Sequence, residues 1–403
     1  MENTNHMLEP DVDRAIVEDR FLCNGRQFIP MPTAPFHEQF VVAAIKEYAN
    51  KTNVAITADP AGNLFLLYNG GKLTQSTPPM IMTAHMDHPG LMYVETLSDC
   101  EYQFELIGNV DIELAKQAPV DIYLNASGPD QHPIRGIIES FQTLNSKTGK
   151  SEFLRCEVRT AEPIRNPIET ECFAMWHVPP LKQKGRKLHG RACDDLAGLS
   201  VALTVIDILR YSQSPACVGV LLTRAEETGF GGMMAAVIQE WLRKQSIYIN
   251  IECSDYLAGA RLGAGPVIRV GDRLSIFDAE ITAALVEIAE NGNPQRLPYQ
   301  RKLMDGGSCE ATVLSQWGYR VGAVTLPLYN YHNAGKKSLN SEAINIDDAV
   351  TLVLLLVRMS THMLSDHSID DLTGGKLKNV LEDRYYHQKK RLFNTQDVPD
   401  RFR

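Results

Sequence analysis

His85, Asp87, Asp194, Asp195, Glu226, Glu227, Glu252 and His332 are the residues of this 403-residue chain whose types and settings can do chemistry. His85 follows the short apolar run Met80–Thr83, and Glu226-Glu227 follow Val218–Thr223. Glu252 follows Ile247–Ile251, and His332 lies a few residues beyond Arg320–Leu326. Asp194-Asp195 stand at the mouth of an apolar helical run. Open α/β sheets form ligand sites outside the carboxyl ends of their strands. Five element ends therefore offer imidazole or carboxylate to one region. That is a nitrogen-and-oxygen donor set of the kind zinc accepts in catalytic sites.

Each piece also has a plainer reading. A His-x-Asp pair is most often a hydrogen-bonded surface pair. Asp194-Asp195 fit a helix N-cap, where carboxylates accept orphan N–H groups. Glu226-Glu227 fit a solvated loop, and His332 in Tyr329-Asn-Tyr-His332 fits a buried, hydrogen-bonded histidine. The coincidence at five element ends favours the metal reading. At spacing two on an extended chain, His85 and Asp87 share a face, so Asp87 can orient a metal-bound His85. Adjacent Glu226 and Glu227 diverge, so one can hold a metal while the other reaches a bound water.

The elements that must position these groups follow from periodicity. Phe40, Val41, Ala44, Ile45 and Tyr48 recur at helical spacing within Phe36–Asn50. Asn53–Tyr68, split by Asp59-Pro-Ala-Gly62, reads as a hairpin. From about Glu95 to Lys187, short β-type runs alternate with turn clusters such as Ala126-Ser-Gly-Pro-Asp130, as in a small barrel or sandwich. After that, helices (196–211, 232–244, 277–291, 310–317, 347–364) alternate with strands (218–223, 247–251, 320–326), which implies a mostly parallel sheet flanked by helices on both faces. The expected division is a first catalytic α/β part over 1–94, an inserted β-barrel domain over 95–186 and a second α/β part over 187–375. A charged tail over 376–403 follows, read as a short helix with a mobile end.

Composition bounds the rest. With 40 Lys+Arg against 49 Asp+Glu the net charge is −9, which argues against bulk nucleic-acid binding. No apolar run approaches the ~20 residues of a membrane helix, and the N-terminus lacks the pattern of a signal peptide. Eight scattered cysteines form no Cys-x-x-Cys pair, so the expectation is reduced thiols in the cytoplasm. Carboxylates beside Cys193 and Cys253 raise a thiol's pKa, which is the wrong direction for a nucleophile.

The order and spacing of several motifs make the chain resemble the dinuclear metallo-aminopeptidases of the glutamyl and tetrahedral aminopeptidase family, relatives of the co-catalytic zinc exopeptidases. The motifs include Asp59-Pro-Ala-Gly-Asn63, Ala84-His-Met-Asp-His-Pro-Gly90, Gly190-Arg-Ala-Cys-Asp-Asp-Leu-Ala-Gly198 and Thr223-Arg-Ala-Glu-Glu-Thr-Gly229. Ile251-Glu-Cys-Ser, Gly263-Ala-Gly-Pro-Val267 and Tyr329-Asn-Tyr-His332 complete the set. The resemblance spans about Pro32 to Leu364. It implies a zinc-exopeptidase-type sheet with an inserted barrel, and homo-oligomers in which that barrel shapes access and supports assembly. It also implies that Asp194 bridges two divalent ions, zinc first, with cobalt and manganese compatible. His85 and Glu252 would complete one ion's ligands, and Glu227 and His332 the other's. Glu226 would be the general base and Asp87 the orienter of His85.

Three departures stand out. Glu252 occupies a position where the aminopeptidases usually carry Asp, with Asp255 three residues on as a rival ligand. Leu196 replaces a frequent Arg after the Asp pair, and His88 replaces a frequent Glu. The expected function is removal of N-terminal residues from short peptides by a metal-activated water with a glutamate base. A metal-dependent amidohydrolase or carboxypeptidase-like enzyme is the chemical alternative, because glutamate at position 252 is more typical of carboxypeptidase-like relatives. A non-catalytic peptide-binding relative is the alternative of a different class, and the intact base Glu226 weighs against it.

Overall fold

The computed structural model describes residues 12–71, 79–124, 132–145, 152–165, 168, 172–255, 259–292, 295–363 and 376–394. Two helices open it, α1 (Arg14–Phe28) and α2 (Gln39–Thr52), followed by β1 (Ala55–Ala58), β2 (Leu64–Asn69) and β3 (Met80–His85). Next come β4 (Gly90–Ser98), β5 (Glu101–Ile107), the one-turn α3 (Ile112–Ala115), β6 (Pro119–Tyr123), β7 (Ile134–Asn145), β8 (Glu152–Thr160) and β9 (Phe173–Trp176). These six strands close a barrel in the order β4-β5-β8-β7-β6-β9. Its core holds Leu91, Phe104, Val120, Ile122 and Trp176, all fully buried.

Beyond the barrel lie β10 (Leu181–Lys184), β11 (Lys187–Gly190), α4 (Cys193–Tyr211), β12 (Cys217–Thr223) and α5 (Gly231–Ile238). Then follow β13 (Ile247–Asp255), β14 (Val267–Asp272), α6 (Ala279–Asn291), β15 (Gln300–Met304) and α7 (Glu310–Gln316). The last elements are β16 (Arg320–Leu328), β17 (Glu342–Asn345), α8 (Ile346–His362) and α9 (Lys376–Asn394). Eight strands form the main sheet, in the order β1-β2-β12-β3-β13-β16-β14-β15. Its centre, β12-β3-β13-β16, is parallel throughout, while β2 and β14 join it antiparallel on either side. This is the α/β plan with an inserted barrel that the alternation of elements predicts.

Alternation along the buried strands explains why both faces are covered. Met80, Met82, Val218, Val220, Leu222, Ile249 and Ile251 point into one core, which α4 shares with α1 and α8. Ile81, Leu221, Tyr248 and Val321 point into the other, against Met233 of α5 and Leu314 of α7. Successive strand residues face opposite ways, so a strand buried on both faces reads as a continuous apolar run. Every residue of β3 and β12 is buried accordingly.

Several element ends differ from their sequence expectation. The helix expected to reach Lys244 stops at Ile238, because Glu240 adopts a left-handed φ of 56° and Trp241 N–H turns back to Ala236 C=O. That closure normally uses glycine, so Glu240 gives no stop signal in sequence. β13 runs on to Asp255 rather than ending at Ile251, since β16 offers it partners as far as Leu328. The opening segment forms α1, capped by the Asp13 side chain. The expected turn at 126–130 and the end of the tail lie outside the described residues; the tail's first part is α9.

Candidate metal centre

β3 ends on His85, and its side chain is fully enclosed at the carboxyl edge of the sheet. The His85 ring places Nδ1 3.1 Å from the Asp87 carbonyl, with Asp87 Oδ1 at 3.6 Å, so Nε2 is directed inward. Nε2 lies 3.3 Å from Asp194 Oδ1 and 3.9 Å from Glu252 Oε2. The His332 ring is turned the same way, with Nδ1 2.5 Å from the Asn109 carbonyl that follows β5. Its Nε2 lies 3.6 Å from Asp194 Oδ2 and 3.0 Å from Glu227 Oε1. The two oxygens of Asp194 thus face two different sets of donors.

The local backbone is unusual where these groups sit. Asp194 and Asp195 lie in the first turn of α4 without helical φ and ψ. Asp195 Oδ2 accepts from the His85 N–H at 3.3 Å, and a Cβ at position 198 would run into the Asp195 carboxylate, which explains Gly198. Glu226–Thr228 form a short 3-10 turn after β12. His332 adopts φ 49° in the turn after β16.

The turn carrying Glu226 and Glu227 is held through four consecutive backbone amides. Arg224 N–H donates to Asn63 Oδ1 at 3.0 Å, and Ala225 N–H to Glu38 Oε1 at 3.0 Å. Glu226 N–H and Glu227 N–H donate to the two oxygens of Asp87, at 2.9 and 3.1 Å. Asp87 therefore holds the backbone of both glutamates while lying beside His85. Nothing in sequence marked Glu38, which is buried at the start of α2; Asn63 ends a quoted motif, but its partner was not legible.

Electrostatics show what this cluster lacks. Burial raises the Glu226 carboxyl well above the usual range, helped by Glu252 and Glu227. Burial and the nearby Asp194 push Glu252 up to about 8. Burial also opposes charge on His85 and His332, but the carboxylates around them outweigh it and raise both imidazoles. Among the described residues, Asp194 Oδ1, Glu227 Oε1, Glu252 Oε1 and His332 Nε2 are buried without a well-formed hydrogen bond, although Glu227 Oε1 and His332 Nε2 stand at ion-pair distance. Unsatisfied acceptors crowded at a low-dielectric site are costly unless a cation joins them. The donor set, three carboxylates and two imidazoles presenting Nε2, fits divalent transition metals. Among the described residues, His85, Asp194 and Glu227 each offer a ligand atom, all within 4.8 Å of one another.

The cluster opens into a cleft of about 500 Å³, lined also by Phe230, Asp255, Arg269, Met304 and Tyr331. Glu252 and Asp255 are three residues apart on one strand, so their side chains leave opposite faces of β13. Glu252 takes the face toward His85.

The His, Asp and Glu cluster thus lies at the carboxyl edge of the sheet, where an ion could be held. The chain belongs to the M42 glutamyl aminopeptidase family, whose profile matches residues 62–353. A protein of Acetivibrio thermocellus named as a candidate aminopeptidase is 23% identical over 331 residues, covering 79% of this chain and 92% of that protein. A TET aminopeptidase from a marine-sediment Thaumarchaeota archaeon shares the fold with TM-score 0.71 at 17% identity, over 88% of this chain and 100% of the other. The Pyrococcus horikoshii TET1 peptidase, described as assembling into a tetrahedron or a large octahedral shell, matches with TM-score 0.63 at 19% identity, over 84% and 99% of the two chains.

Proposed function

We propose that the protein is a dinuclear metallo-aminopeptidase that releases single residues from the amino ends of short peptides. The observation that carries the reading is Asp194, whose Oδ1 faces His85 and whose Oδ2 faces His332. One ion would be held by His85, Asp194 and Glu252, the other by Asp194, Glu227 and His332. Divalent ions bound there would acidify water and stabilise negative charge on the amide oxygen. Glu226 accepts the proton from the attacking water and delivers it to the leaving amine. Asp87 fixes the backbone of Glu226 and Glu227, so base and ligand keep their separation.

Zinc suits this donor set, and cobalt or manganese would also bind it. Glu252 supports the alternative of a carboxypeptidase-like or other amidohydrolase, since it replaces the usual aspartate. Hydrolysis of matched free-amine and N-blocked peptides by metal-analysed protein separates the two. Cleavage of blocked peptides only would overturn the aminopeptidase reading.

The ligand assignment at β13 is tested by two variants. Glu252→Ala should lose one ion, because His85 and Asp194 alone then remain for it, while Asp255→Ala should keep both. Metal titration showing the reverse would give the position to Asp255.

Arg269 on β14 supports a substrate class. Its side chain is buried and lines the cleft, 3.4 Å from Ser254 Oγ, with the guanidinium 5.9 Å from the Phe277 ring centroid, and among the described residues its Nε has no hydrogen-bond partner. A guanidinium in that setting favours a substrate carboxylate, and we expect a preference for N-terminal Glu or Asp. A hydrogen bond to a charged group contributes about 1.5–3 kcal/mol. Arg269→Met should therefore cut kcat/KM for a glutamyl substrate by roughly 10- to 100-fold relative to a leucyl one. An unchanged ratio would remove Arg269 from specificity.

We assign the inserted domain, expected over 95–186 and with barrel strands running from Gly90 to Trp176, access and self-association, giving a homo-oligomer as the TET1 relative's description suggests. Among the described residues no helix is long and apolar enough to cross a membrane. All eight cysteines are unpaired, which supports a cytoplasmic location.

A further inference from the structure

Two buried groups with no part in the chemistry above, Glu342 and His88, join the same pair of chain segments. Glu342 opens β17 and is fully enclosed. Its Oε2 accepts from Asp194 N–H at 3.0 Å, and its Oε1 from His332 N–H at 2.9 Å. Both oxygens are occupied by backbone donors, so this carboxylate is a brace and not a ligand. His88, also fully enclosed, donates from Nδ1 to the Asp194 carbonyl at 2.7 Å. Its Nε2 lies 2.9 Å from Asn333 Oδ1. Asn333 Nδ2 donates to the carbonyls of Arg191 and Asn340, which fixes the amide with its oxygen toward His88. The ring thus sits between the Asp194 carbonyl and the Asn333 side chain, at 2.7 and 2.9 Å, and ties the two segments together by its position.

Asp194 is thus gripped at its N–H by Glu342 and at its carbonyl by His88. The same two side chains grip His332 and Asn333. This loop needs such restraint, because Asn330, His332 and Asn333 adopt φ of 57°, 49° and 60°. Left-handed backbone is strained at non-glycine residues and persists only where surrounding contacts over-determine it. Asp194 and His332 have no local connection, so these braces supply a direct fix on their separation.

We infer that Glu342 and His88 are positioning residues that set the distance between Asp194 and His332, and hence the affinity of the metal position formed by Asp194, Glu227 and His332. The inference rests on the ligand assignment proposed above. The position formed by His85, Asp194 and Glu252 depends on them less, since β3 and β13 are paired directly. Partners that orient metal ligands typically contribute 10- to 100-fold in affinity.

The test uses full-length wild type, Glu342→Gln, His88→Leu and His332→Ala, stripped with chelator and titrated with Zn²⁺. Circular dichroism and Tm report folding, and kcat and KM are read at several Zn²⁺ concentrations. Glutamine keeps the size of Glu342 but sets an NH₂ against one of the two amides; leucine keeps bulk at His88 and removes both bonds. The expected result is two tight ions in wild type. Each brace variant should keep one tight ion and bind the second roughly 10- to 100-fold more weakly. Excess Zn²⁺ should restore most of kcat with KM little changed, which a general loss of packing would not allow. Two ions at wild-type affinity in the folded variants, or equal weakening of both ions, would overturn the inference. If either variant fails to fold, the other decides. A wild type holding one ion, or a His332→Ala protein still holding two tightly, would instead overturn the ligand assignment, and this inference with it.

Discussion

Glu226→Gln is expected to lower kcat by roughly 10²- to 10⁴-fold, the range for a lost general base, while both metal positions stay filled. The substitution keeps the size of the side chain and the backbone bond to Asp87, but an amide cannot accept the proton of water. The contrast with Glu227 comes from geometry. Glu227 Oε1 is 3.0 Å from His332 Nε2, whereas Glu226 lines the cleft with its carboxyl raised by burial. Steady-state kinetics with metal analysis of the same preparation checks the assignment. Loss of an ion from Glu226→Gln would make Glu226 a ligand and exchange its role with that of Glu227.

Exhaustive chelation should abolish hydrolysis completely, and a divalent ion should restore it. The same treatment should lower Tm, because a ligand at 1,000 times its Kd stabilises the folded state by about 4 kcal/mol. The cause is visible in the centre itself. Asp194, Glu226, Glu227 and Glu252 crowd together, and Asp194 Oδ1, Glu227 Oε1 and Glu252 Oε1 are buried without a well-formed hydrogen bond among the described residues. Removing the cations leaves these carboxylates to repel one another or take up protons, as the raised positions of Glu226 and Glu252 indicate. Full activity in protein whose metal content is measured near zero would end the metal mechanism.

The amino-acid sequence by itself determined where chemistry could occur. Strand and helix periodicity is local, and so is the appearance of His, Asp or Glu just past an apolar run. His85, Glu226, Glu227, Glu252 and His332 were therefore legible as candidates, as was the α/β plan with its β-rich insertion. The likeness of the motifs to a known family then sorted them into roles. Where a local stop signal was missing, as at Glu240, the expected boundary moved by several residues. The continuation of β13 to Asp255 was illegible for a different reason, since it depends on the partners that β16 provides.

Only the tertiary structure decided how the candidates are held. A carboxylate that receives backbone N–H groups looks in sequence like any other carboxylate. Glu38, Asp87 and Glu342 all act through amides, which carry no residue-type signature, and each holds the amide of a segment far from it in the chain, Ala225, Glu226 and Asp194 respectively. The left-handed turn at His332, the opposed oxygens of Asp194 and the burial of Arg269 likewise arise from packing between distant elements. Side-chain chemistry is written residue by residue, but distances between residues are set by the contacts that folding brings together.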